Sequence, residues 1–346
     1  MAEYCPKPGY TKNQSNSQTS MVCFEELKSK ILAGHKLTRE EALLLLNLED
    51  AEIIELLSLA NTITRRYHGN VVDTCCIVNA KCSLCGEDCS FCAQSVHHRT
   101  NITPYPLMQT ADLVDLAQLG EDMGANRFSI VTSGLSLNQK EFSSILYTIK
   151  QIKKKTSLSV CTSIGTITEK RAAMLKNAGL TRIHHNLETS KSFFASICST
   201  HTYEQRINTV RIAKESGLEV CSGGIIGLGE TPSDRIELAL ALKKLNVDAV
   251  PINIITPIAG TRLENVVLPS PLEILKTIAV YRLILPDKSL LLAGGREVGL
   301  RSLQSLALIS GANGILLGNY LTTKGQSPQK DLQMIADLGL TVHHHV

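Results

Sequence analysis

Tryptophan is absent from this 346-residue chain, and aromatic residues of all kinds make up only 4% of it. The formal net charge is +3, with acidic and basic residues nearly balanced. A nucleic-acid binder shows a basic stripe or a platform of rings for base stacking. The sequence has neither, so nucleic acid is not an expected partner. No uncharged apolar run approaches the roughly 20 residues of a bilayer span, and no membrane partner is expected. The opening stretch, MAEYCPKPGYTKNQSNSQTS, lacks the apolar centre of a secretory signal, which makes the cytoplasm the expected location. No G-x-G-x-x-G follows the first strand pattern, so the usual mark of a dinucleotide-binding sheet is missing.

Cysteine, by contrast, is plentiful. Eleven is an odd and high number, and in a reducing cytosol metal or redox chemistry is a better use for it than disulfides. Cys75, Cys76, Cys82, Cys85, Cys89 and Cys92 all fall within eighteen residues. Among them Cys85, Cys89 and Cys92 form C-x3-C-x2-C, with Phe91 before the last. Three thiolates on one tight loop hold three irons of a cubane 4Fe–4S cluster and leave the fourth iron without a protein ligand. Open coordination is what catalytic metal sites keep. A zinc knuckle is the competing reading, but His97 and His98 follow Cys92 too closely for its usual spacing.

Residues 1–20 read as a polar, disordered arm, and 21–70 as N-terminal helices. Thr38 followed three residues on by Glu41 has the capping-box arrangement. From 71 to 340, β-branched runs alternate with amphipathic helices. The strand runs are 71–80, 127–132, 158–163, 181–187, 218–225, 248–255, 289–294 and 314–318. Eight strand-then-helix units with short links predict an α/β fold, a (β/α)8 TIM-type barrel with an N-terminal helical extension. Such barrels carry their chemistry at the C-terminal strand ends. That gathers the cysteine loop, Asn186 and Glu188 after strand 4, Cys221 and GGIIGLGE at strand 5, and Asn253 at strand 6. The histidines 97, 98, 184 and 185 read as packing or surface residues.

From about residue 38 to about 340 the chain resembles the biotin synthase family of radical S-adenosylmethionine enzymes. The resemblance rests on NAKCSLCGEDCSFCAQS, HHNLETS, THTYEQR, EVCSGGIIGLGET, VPINIITPIAGTRL, AGGREVGLRSLQ and GNYLTT, in that order. It implies that the open iron chelates S-adenosylmethionine, and that one electron cleaves this cofactor to a 5′-deoxyadenosyl radical. Arg206 would pair its planar fork with the methionine carboxylate. Glu188, where the family usually has Asp, would bind the ribose hydroxyls, and Asn186 and Ile225 would border the cofactor. Asn186 and Asn253, donors and acceptors at once, would read the ureido ring of dethiobiotin. The implied reaction inserts sulfur between C6 and C9 of dethiobiotin. It uses two S-adenosylmethionine molecules, an electron donor such as flavodoxin or ferredoxin, and a homodimeric protein.

Two positions depart from that family. Its members hold a 2Fe–2S cluster on three cysteines and an arginine, and here Cys161 and Cys221 match two of them. Ser129 takes the third cysteine position and Leu291 the arginine position. Leucine cannot ligate. Strand 1 offers Cys75 and Cys76, with Cys82 at the loop's start, and alternation turns only one of the first two inward. Cys75 is the favoured ligand and Cys76 the alternative. Thiolate in place of arginine suits a second cluster other than 2Fe–2S, of four irons with a sulfide on its open iron. The same departures keep two rivals in view. One is another radical reaction, as in hydrogenase-maturation or methylornithine-forming relatives, which retention of Asn186, Asn253, Cys161 and Cys221 opposes. The other is a non-catalytic iron–sulfur or zinc scaffold, which Arg206 and the strand-end constellation oppose.

Overall fold

The computed structural model describes residues 24–82 and 85–343. The arm expected over 1–20 lies outside them, as do Cys5 and Cys23.

A helix over residues 24–32 (α1) leads to α2 (Arg39–Leu46) and α3 (Ile53–His68). The expected capping box opens α2. Thr38 Oγ1 accepts from Glu41 N at 3.2 Å, and Glu41 Oε2 accepts from Thr38 N at 2.8 Å. Two of the orphan N–H groups of a helix start are thereby satisfied. One face of α3 buries Ile53, Leu56, Leu57, Leu59 and Ile63, each contributing about 1.5–3 kcal/mol by leaving water.

The barrel runs β1 (Val71–Lys81), α4 (Thr110–Asp122), β2 (Arg127–Thr132), α5 (Gln139–Lys155), β3 (Ser159–Ser163), α6 (Glu169–Asn177) and β4 (Arg182–His184). After α7 (Lys191–Ile197) and α8 (Tyr203–Glu215) come β5 (Glu219–Cys221), β6 (Gly224–Ile226), α9 (Pro232–Lys244), β7 (Ala249–Ile254) and α10 (Pro271–Ile284). The chain continues through β8 (Ser289–Leu292), α11 (Arg296–Leu300), α12 (Gln304–Leu308), β9 (Gly314–Leu316), α13 (Pro328–Asp337) and β10 (Thr341–Val342). Helix α10 lies against both α2 and α3, so the N-terminal helices cap one side of the barrel.

All pairings between named strands are parallel, in the order β1-β2-β3-β4-β5-β7-β8-β9, and β9 pairs back to β1 to close the ring. Strand 5 is interrupted: β5 ends at Cys221 and β6 resumes at Gly224. A Cβ on Gly223 would stand 2.1 Å from Pro251 O, and one on Gly224 2.3 Å from Glu188 O. Only glycine permits this close crossing of backbones at the barrel wall.

Register fixes what faces inward. Cys75 pairs with Arg127, Ser129 with Cys161, Cys161 with Arg182, and His184 with Cys221. Cys75, Cys221, Ala249 and Leu291 form an apolar cluster apart from the main core, with Ile77 and Leu316 against it. Cys76 points the other way, into the layer between β1 and α4. Its Sγ would lie 2.5 Å from a Cβ on Gly120, so the glycine makes room for the thiol.

Candidate active site

The loop after β1 brings Cys85, Cys89 and Cys92 to the C-terminal mouth of the barrel. Its neck is pinned by Cys85 N–H to Gln94 O and Val96 N–H to Cys85 O, both at 2.9 Å. Asp88 ties the loop to the α7–α8 connection, accepting from Ser199 N at 2.8 Å and Ser199 Oγ at 2.6 Å. Partial burial opposes ionisation here, yet the bonds from Ser199 hold the carboxyl well below the usual carboxylate range. Burial pushes the Cys92 thiol up to about 11, and a bond to Cys198 together with burial pushes Cys89 up further. Metal binding displaces such protons. Three thiols on one pinned loop, all lining one cavity, fit a four-iron cluster with an open iron.

That cavity, of about 300 Å³, is within the usual range for small-ligand sites. Its walls include Cys85, Cys89, Cys92, Asn186, Glu188, Arg206, Cys221, Asn253 and Leu291. Arg206 Nη1 donates to Asn186 O at 2.9 Å and meets Glu188 Oε1 at 3.4 Å. Burial raises the Glu188 pKa, while the Arg206 charge works against that rise. Glu188 also has φ 71°, a strained backbone for a residue other than glycine, of the kind found where function demands it. Asn186 Oδ1 accepts from Gly223 N at 3.2 Å, and Asn253 Oδ1 accepts from Gly294 N at 3.1 Å. Each amide is thus oriented by backbone and keeps unused capacity toward the cavity. Ile225 lies elsewhere: it lines a separate small pocket with Glu230 and Arg235, and its N–H donates to Glu188 O at 2.9 Å.

Deeper in the barrel Cys75, Cys161 and Cys221 are buried, the first two completely. Burial raises all three thiols, Cys221 to about 12. The Arg182 and Arg127 charges act in the opposite direction on Cys161 and Cys221. Leu291 faces the same space and offers no donor. A set of buried thiols beside two cations fits an anionic thiolate-ligated cluster.

Several residues escaped the sequence reading. Cys198 places its Sγ 3.8 Å from Cys89 Sγ and 3.3 Å from His201 Nδ1. His201 Nε2 accepts from Arg206 Nε at 3.0 Å, which puts its proton on Nδ1, 2.5 Å from Glu87 Oε2. Glu87 and His201 therefore orient Arg206. His201 stands in the THTYEQR motif, a signal that was available; a single cysteine at 198 gave none. Arg127 and Arg182 open β2 and β4, and only the strand register places them beside Cys75 and Cys161.

The profile of the Radical SAM superfamily matches residues 82–257, and that of the Biotin and Thiamin Synthesis associated domain residues 251–341. Methylornithine synthase superposes with a TM-score of 0.79 at 20% identity, over 92% of this chain and 97% of that one. The FeFe-hydrogenase maturase of Carboxydothermus hydrogenoformans gives 0.81 at 17%, over 96% and 81%. At such identities the likeness shows the fold alone. Fold, cysteine loop and profile together define a radical S-adenosylmethionine barrel protein.

Sequence narrows this further. The biotin synthase of Carboxydothermus hydrogenoformans is 49% identical over 318 residues, 91% of this chain and 98% of that protein. The biotin synthase of Clostridium acetobutylicum is 49% identical over 331 residues, 95% and 99%. The chain belongs to the biotin synthase family. No helix among the described residues is long and apolar enough to cross a membrane.

Proposed function

We propose that this protein inserts sulfur between C6 and C9 of dethiobiotin to form biotin. The observation that carries the reading is the single cavity walled jointly by the cysteine loop, the two asparagines, Arg206 and Cys221. When bound, the reduced four-iron cluster supplies the electron that cleaves S-adenosylmethionine to methionine and the 5′-deoxyadenosyl radical. Cys85, Cys89 and Cys92 hold that cluster. Arg206, braced by His201, pairs with the methionine carboxylate, and Glu188 with Asn186 receives the ribose. Asn186 and Asn253 orient the ureido ring by hydrogen bonds without adding charge, so the aliphatic carbons lie toward the buried cysteines. Two C–H bonds are broken, so two S-adenosylmethionine molecules are used per product. An external donor such as flavodoxin or ferredoxin delivers the electrons. The protein works in the cytoplasm as a homodimer.

A second iron–sulfur cluster, of another type than 2Fe–2S, is held by Cys75, Cys161 and Cys221 and provides the sulfur. Support comes from burial of the three thiols around one interior and from Leu291, which removes the arginine ligand of the 2Fe–2S site. Cys76 faces the helical layer, which favours Cys75 as the ligand from β1. Anaerobic turnover of the reduced, reconstituted protein with dethiobiotin and S-adenosylmethionine, followed by mass spectrometry, tests the function. Biotin is expected. Cofactor cleavage without biotin would instead favour a different radical reaction on this barrel, and zinc without iron in the purified protein a scaffold.

A further inference from the structure

Cys89 and Cys198 belong to two segments that run side by side in opposite directions. Ser90 N–H donates to Ile197 O at 2.8 Å, one residue beyond Cys89 and one before Cys198. On the other side of the pair, Asp88 accepts from Ser199 N at 2.8 Å and from Ser199 Oγ at 2.6 Å. Asp88 N–H also donates to Thr200 Oγ1 at 3.2 Å, and that hydroxyl donates to Glu87 Oε2 at 2.7 Å. The two cysteines therefore stand opposite each other, clamped on both flanks, with their sulfurs 3.8 Å apart. Facing residues of an antiparallel pair have Cα atoms about 4.5–5.5 Å apart, inside the range that a disulfide spans. At that spacing side-chain rotation is enough to close the bond. Both thiols are buried, but Cys89 also lines the cavity of about 300 Å³, through which a small oxidant reaches it.

We propose that Cys89 and Cys198 are a redox modification site, joined in a reversible disulfide when hydrogen peroxide strips the radical cluster from its loop. Free of iron, the Cys89 thiol takes one oxygen from peroxide, giving a sulfenic acid and one water. The Cys198 thiol attacks that sulfur. The S–S bond forms as the S–O bond breaks, and a second water leaves. Two thiols thus lose two electrons and two protons, and one peroxide is reduced to two waters. A small dithiol reverses the bond by exchange. Without a thiol opposite, the sulfenic acid proceeds to sulfinic and sulfonic acids, which thiols do not reduce. The bond stands on the geometry of the pair. Its consequence, that cross-linked protein holds no radical cluster until a dithiol frees Cys89, rests on the reading of Cys89 as a cluster ligand.

The test exposes reconstituted full-length protein to hydrogen peroxide, alkylates the remaining thiols under denaturing conditions and maps the peptides by mass spectrometry without reduction. A Cys89–Cys198 cross-link is expected in the wild type, with Cys85 and Cys92 alkylated. Dithiothreitol followed by a second reconstitution should restore the EPR signal that S-adenosylmethionine perturbs. Cys198→Ser and Cys198→Ala, treated alike, should carry extra oxygens on Cys89 and recover at least about fivefold less of that signal. Wild-type protein with Cys89 joined to Cys85 or Cys92, or oxidised to sulfinic acid, overturns the proposal before any variant is made. Equal recovery in the wild type and both variants overturns it as well. Cross-linked protein that keeps its radical cluster, seen by Mössbauer spectroscopy with S-adenosylmethionine, overturns the loading consequence and contradicts Cys89 as a ligand, while the bond itself stands.

Discussion

Cys198 Sγ stands 3.8 Å from Cys89 Sγ, beside the radical-cluster loop. The two residues are 109 positions apart in the chain. Loss of Cys89 therefore leaves a thiol next to the vacated position. Cys85→Ala and Cys92→Ala are expected to abolish S-adenosylmethionine cleavage. Cys89→Ala should lose at least about tenfold in cleavage yet keep part of its iron, and adding Cys198→Ala should remove that iron. Equal iron loss in Cys89→Ala and the double variant would show that Cys198 does not substitute.

Asn253 is fixed by Gly224 O and Gly294 N, with distances of 3.2 and 3.1 Å. Its remaining amide capacity faces the cavity. Asn253→Ala is expected to weaken dethiobiotin binding by roughly 1–3 kcal/mol, the cost of an unpaired buried polar group. Substrate-independent cofactor cleavage should persist. Unchanged affinity in a calorimetric titration would take Asn253 out of substrate recognition.

Acid stability is expected to depend on Asp234, at the start of α9. Its carboxylate accepts from Ser190 Oγ at 2.6 Å and Thr231 Oγ1 at 2.6 Å. Burial opposes ionisation, but these bonds prevail and bring the pKa from 3.8 down to about 2. A lowered carboxylate pKa gives stability that is complete above the unfolded value and lost as pH falls through the folded one. Asp234→Asn should thus destabilise at pH 7 by about 1–2 kcal/mol, with the difference from wild type shrinking between about pH 4 and pH 2. A difference that does not change with pH would exclude this linkage.

Much of the fold was legible in the sequence because the barrel repeats one signal eight times, and the observed closed ring of parallel strands agrees with it. The capping box at Thr38 was equally plain. What failed to show was anything decided across the barrel. Strand 5 read as one run, since nothing local reveals that Pro251 and Glu188 crowd Gly223 and Gly224. Alternation required Cys75 and Cys76 to face opposite ways without saying which was inside; Gly120, on a helix far along the chain, settles that. His184 lines the cavity with Cys221, a placement set by neighbours across the barrel rather than by local sequence.

That facing distinction gives the next prediction. Reconstituted protein should contain about eight irons per chain, two clusters of four. Cys75→Ala should lose about half of that iron, and Cys76→Ala, whose thiol fills the space left by Gly120, should keep it. Mössbauer spectra of both variants check this. Iron loss in Cys76→Ala with none in Cys75→Ala would reverse the assignment.

The central claim is that sulfur carried by this protein ends in biotin, and isotopic labelling addresses it most directly. Protein reconstituted with 34S-sulfide, freed of excess sulfide, is given dethiobiotin, S-adenosylmethionine and reductant without any other sulfur source. The first equivalent of biotin should be heavier by about two mass units, with 34S in the ring and matching loss of labelled sulfide from the protein. Biotin without label, or no biotin while the protein keeps its labelled sulfide through cofactor cleavage, would contradict the account.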